Sequence, residues 1–168
     1  MRFGFILATS LLIRGGLVLD FIPLHLMPLV LAMISGILMA IQGSLNASLS
    51  KTIGLWEATF VVYATGTIVL LVALLVFKFG KGDLTDLGEA SWYSYFGGLV
   101  GVYIIYLVAA SIPEVGVSNA TTAIIVGQVL TAVVIDHLGG FGLQRIAFGW
   151  NQVIGLILLS IGAKLLLK

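Results

Sequence analysis

From residue 21 through residue 50 the chain carries no formally charged side chain. That run exceeds the roughly 20 apolar residues with which a helix crosses the hydrocarbon core of a bilayer. Four of its polar members, Ser35, Gln42, Asn46 and Ser50, stand seven, four and four residues apart. On a helix they share one face, and in a membrane such a stripe must meet protein or water because lipid offers no hydrogen-bond partner. Four more apolar runs follow, and the pattern predicts helices over about 27–50, 56–77, 92–112, 117–135 and 146–167. Punctuation agrees with that division. Pro23 and Pro28 mark the start of the first helix, Gly54 follows it, and 78–90 (KFGKGDLTDLGEA) is the clearly aqueous loop. Trp92, Tyr93, Tyr95 and Phe96 open the third helix as an interfacial aromatic belt. Pro113, Glu114 and Gly116 are expected to form the next turn, and 136–142 (DHLGGFG) another.

Within the helices, Gly97 and Gly101 form a GxxxG pair, and Gly127 and Gly155 add further small faces, all expected to let helices approach closely. Residues 1–26 sit apart from the five-helix domain, 27–168. Arg2, a short apolar run and Arg14 lack a small-x-small cleavage site, so a start-site extension, an interfacial helix or a tag is expected there.

Composition changes the picture in one respect: it fixes the solvent. Hydrophobic residues make up 60% and charged residues 9%, with a mean hydropathy of +1.20. A soluble domain is about a quarter charged, so this is an all-α integral membrane protein whose partner is the lipid bilayer. The absence of cysteine excludes disulfide scaffolds and thiolate metal sites. A net charge of +1 without a basic run gives no footprint for nucleic acid. His25 and His137 are isolated, so no metal and no cofactor is expected. No nucleophile elbow, Walker loop or dinucleotide fingerprint occurs, which disfavours an enzyme.

Chemistry then rests on the few polar groups inside the apolar runs. Gln42 and Asn46, one turn apart, and Gln128 in the fourth helix are amides where leucine would be cheaper to insert. With Ser35 and Tyr63 they are the candidates to line a site for a small organic solute. The bland alternative is an interhelical hydrogen bond, worth roughly 0.6 kcal/mol on average. No carboxylate lies at mid-depth of a run. Glu57, at the start of the second helix, and Asp136, at the end of the fourth, are the coupling candidates. With the N-terminal extension set aside, Lys78, Lys81 and Arg145 fall on one side of the membrane and Lys51, Lys164 and Lys168 on the other. A balanced count permits insertion in both orientations.

Two segments resemble a known family. AIQGSLNASLSKTIG (40–54) and GQVLTAVVIDHLGGFG (127–142) resemble the first and fourth helices of the YdcZ-like, five-helix branch of the drug/metabolite transporter superfamily. FGGLVGVYII (96–105) and GLILLSIGAKLL (155–166) extend the match across 27–168. The resemblance implies half of an inverted-repeat transporter in the bacterial inner membrane. It implies pairing as an antiparallel homodimer or with a homologous half, and a solute site at the midplane between halves. Its matching polar positions here are Gln42, Asn46, Gln128 and Asp136. Small multidrug relatives carry a glutamate in the first helix; this chain has amides and hydroxyls there, which do not titrate. A permease working by alternating access is the expectation. A non-transporting accessory or assembly subunit, its polar stripe docking a partner helix, is the alternative.

Overall fold

The computed structural model describes residues 26–80 and 82–167, so the extension expected over 1–26 lies outside the described residues apart from Leu26. Every regular element among them is helical: α1 (Met27–Ile53), α2 (Leu55–Leu75), α3 (Phe96–Val115), α4 (Val117–Leu138) and α5 (Trp150–Leu166). Short 3-10 turns occupy Leu84–Glu89, Trp92–Tyr95 and Gly140–Gly142. Four helical spans, of 27, 21, 24 and 22 residues, are long and apolar enough to cross a membrane, the third counted from Trp92. The fifth helix has 17 residues; at 1.5 Å per residue it reaches about 26 Å, most of the roughly 30 Å core.

Several boundaries depart from the sequence pattern, among them the end of α4, which runs on to Leu138 through the start of the turn expected over 136–142; three have a local reason. α3 runs through Pro113 to Val115 and leaves only Gly116 between itself and α4. In a membrane the backbone has no water to bond with, so continuing the helix past a proline costs less than exposing a loop. α1 extends to Ile53, with Lys51 in its last turn where a cation suits the helix C-terminus. α5 begins at Trp150 rather than near 146, because the Ile146 amide donates to the Asp136 carbonyl at 2.8 Å and holds the chain against the end of α4. Gln152 then caps the helix by accepting from the Gly149 amide at 3.0 Å.

The fold divides into two compact units inside α1, at Met39/Ala40. In the first, the α1 turns up to Met39 present Leu29, Leu31, Met33, Ile34, Ile37 and Leu38 as exposed apolar side chains suited to lipid. In the second, the ordered packing is concentrated beside two single-residue corners, Gly54 between α1 and α2 and Gly116 between α3 and α4. The corners are built alike. Gly54 has φ 99° and ψ 158°, Gly116 φ 82° and ψ 159°, a region open essentially to glycine alone. At each, the glycine amide donates back to the preceding helix (to Ser50 and Ile112, 2.9 Å each). Its carbonyl then accepts the first bond of the next helix (from Ala58 and Ala120, 3.0 Å each).

Around these corners the buried positions are small: Gly43, Ala47, Ala58, Ala109 and Ala120, joined by Ile112. Ala47, Ile112 and Ala120 form one cluster, with Val108 against it. A Cβ on Gly43 would lie 2.9 Å from Val108 Cγ1 and 3.1 Å from Ile112 Cδ1, so α1 and α3 cross there in near-backbone contact. Trp56 and Tyr106 pack together with ring centroids 4.6 Å apart and planes tilted by 36°, and tie α2 to α3. Farther along, cover is lost: from Thr65 to Leu75 every residue except Ala73 is exposed.

Candidate functional site

Several hydroxyl side chains in the helices bond to their own backbone. Ser44, Thr59, Thr65, Thr122 and Ser160 each donate to the carbonyl four residues back, at 2.8–2.9 Å. Ser50 and Ser111 reach carbonyls three residues back. These groups satisfy themselves on their own helix and need no partner in lipid. Asn119 does likewise, its Nδ2 donating to the Val115 carbonyl at 3.0 Å. Gln42, Asn46 and Gln128 make no such bond to any described residue.

The amides differ in cover. Asn46, on the α1 face that also carries Gly43, Ala47 and Ser50, is 6% exposed. Gln42, one turn earlier, is exposed, as is Gln128 in α4. The predicted stripe is therefore split: Asn46 and Ser50 lie in the packed junction, and Gln42 lies just beyond it. Ser35 is exposed in the first unit. Gln42 and Gln128 stand equally far from their corners, twelve residues before Gly54 and twelve after Gly116, or about 18 Å along each helix. An exposed carboxamide inside an apolar span has to be met by something other than hydrocarbon.

The remaining candidates are distributed as follows. Tyr63 is half-buried with its hydroxyl against Gly101, so this tyrosine fills the notch of the GxxxG pair, while Gly97 has open space around it. Gly127 and Gly155 are likewise uncrowded within the chain. The exposed Glu57 turns its carboxylate back over Gly54 at the start of α2, a position where a negative charge suits the helix N-terminus. Asp136 is half-buried in the last turn of α4. Beside it Arg145 Nε donates to the His137 carbonyl at 2.8 Å and Gly139 closes the helix in a left-handed conformation. Among the described residues no group of His, Asp or Glu is arranged to hold a metal ion.

Sequence pattern alone did not single out the alanine junction or the Trp56–Tyr106 contact. The signal present was the recurrence of glycine and alanine sixty-two residues apart: Ala47, Gly54 and Ala58 against Ala109, Gly116 and Ala120.

Comparison with known proteins fits this architecture. No solved structure matches the chain. "Inner membrane protein YdcZ" of Escherichia coli (strain K12) is 24% identical over 136 residues, covering 80% of this chain and 90% of the relative. A family model described as "Putative inner membrane exporter, YdcZ" matches residues 27–165. The chain therefore belongs to the YdcZ family of the drug/metabolite transporter class and is an integral protein of the bacterial inner membrane.

Proposed function

We propose that the protein is a permease subunit that moves a small organic solute by alternating access, working as an antiparallel homodimer or with a homologous half. The observation that carries this reading is the pair of exposed, unbonded amides, Gln42 and Gln128, inside apolar helices. Ser44, beside Gln42, bonds to its own helix, whereas the two amides retain their full donor and acceptor capacity. A second copy laid over them encloses a polar site at the seam, with Asn46 at its edge, Tyr63 as further lining and the open Gly97, Gly127 and Gly155 as contact faces. The lining amides carry no ionisable group, so coupling to an ion falls to Glu57 or Asp136 at the helix ends.

A thermal-shift screen of the detergent-purified protein against small cations, amines, sugars and organic acids tests this, repeated on Gln42→Leu and Gln128→Leu. A binder at a hundredfold excess over Kd stabilises the folded state by about 2.7 kcal/mol. The expected result is one compound class that stabilises the wild type and neither variant. If the variants are more stable and respond to the same compounds as the wild type, the amides are not the site and the accessory-subunit reading takes over.

A further inference from the structure

The junction at the two glycine corners combines features that a permanently closed core would not. Its buried apolar positions are Ala47, Ala58, Ala109 and Ala120 with Ile112, and among the described residues no large side chain is fully enclosed. Alanine surfaces part without unlocking interdigitated rotamers, so little packing is lost when they separate. Four polar residues are buried among the described residues: Asn46, Ser50, Thr59 and Thr122. Three of them bond to carbonyls of their own helix, at 2.8–2.9 Å. Asn46 alone bonds to nothing, although 6% of it remains exposed. Among the described residues no side-chain nitrogen or oxygen is both completely shut off and unpaired, so the Asn46 amide lies at the rim of the junction. A carboxamide held there gains further hydrogen bonds when the junction opens to water.

We propose that this alanine junction is a gate and that Asn46 is its release element: the unpaired amide weakens the closed form and is solvated in the open one. The proposal rests on the alternating-access reading above and adds to it the place where the molecule parts. Asn46 acts here as a positioning residue on the gate equilibrium.

The chain has no cysteine, which allows a direct test. Ser50→Cys places a reporter inside the junction, where the native hydroxyl is buried, and Ser94→Cys places a control on the exposed 3-10 turn. Maleimide reacts with the thiolate, so labelling at position 50 requires water to enter the junction. The rate is measured on the full chain in lipid nanodiscs, with Asn46, Asn46→Leu and Asn46→Ser backgrounds. Leucine removes the amide; serine replaces it with a hydroxyl able to bond to the Gln42 carbonyl one turn back. Both are expected to slow labelling at position 50 about fivefold or more and to leave position 94 unchanged. An unchanged or faster rate at position 50 overturns the gate, and so does equal slowing at both positions. If Asn46→Leu does not fold, Asn46→Ser carries the same decision. Slowing at position 50 in a protein for which the solute screen finds no binder leaves the gate standing and removes the transport reading, so the two failures are separable.

Discussion

At the scale of single residues, the two corners give the sharpest expectation. At Gly116 an added Cβ meets nothing within 4 Å, so Gly116→Ala isolates the backbone cost of a glycine-only conformation, about 1–3 kcal/mol. Gly54→Ala carries the same backbone cost and also displaces the Glu57 carboxylate from the start of α2. That side chain can swing aside, so the excess at Gly54 amounts to about 0.3–1 kcal/mol, the ordinary value of a carboxylate at a helix N-terminus. It should vanish in a Glu57→Ala background, which a double-mutant cycle of detergent unfolding midpoints would show. A second residue-scale expectation concerns the aqueous loop. The Thr85 amide and hydroxyl bond to Asp83 and hold its carboxyl below the ordinary value of 3.8. A depressed folded value means that the contribution is fully present above the unfolded value, neutral pH included, and is lost progressively as pH falls from the unfolded value through the folded one. The Thr85 amide resonance should therefore titrate with a midpoint below 3.8, and Asp83→Asn should abolish that titration.

At the scale of elements, the helix contact that sets the junction is Gly43 against Val108 and Ile112. Gly43→Ala drives a methyl into Val108 Cγ1 and should cost about 1–3 kcal/mol as overpacking. Val108→Ala should return most of that loss when combined with it, although alone it is destabilising. A thermal series on the three variants checks both signs. This contact also shows how far the elements were legible. Uncharged runs between charged or glycine-rich breaks were sufficient to place all five helices, since in lipid an apolar stretch has few structural options. The ends were less so: Pro113 read as a stop because soluble helices end before proline, and the membrane context overrides that rule. The amides mark a further boundary of what the pattern carries. Spacing shows which residues share a helix face, and on that basis it groups Ser35, Gln42, Asn46 and Ser50. It holds no information on where along that face a neighbour ends, and the loss of cover between Asn46 and Gln42 is a tertiary property. A helix that is apolar on every side gives no sequence contrast between lipid and protein contact.

At the scale of the whole molecule, the distribution of charge bears on the direction of insertion. Lys78, Lys81 and Arg145 oppose Lys51, Lys164 and Lys168, three against three outside the N-terminal extension. Short-loop lysines and arginines favour the cytoplasmic side, so a balanced count leaves either direction open and small charge changes decisive. Lys78→Ala with Arg145→Ala leaves one basic residue against three and should drive most copies into a single orientation. Lys51→Ala with Lys164→Ala should drive them into the opposite one. A C-terminal reporter active on only one side of the membrane reads the direction in each case, and the wild type should show both. If the working unit is an antiparallel pair of identical chains, each biased variant alone should lose transport and solute-dependent stabilisation, because the exposed Gln42 and Gln128 of one copy find no inverted partner. Co-expression of the two variants should restore both properties. Full activity from one biased variant by itself would show that a parallel pair or a single chain completes the site, and the balance of charge would then carry no functional meaning.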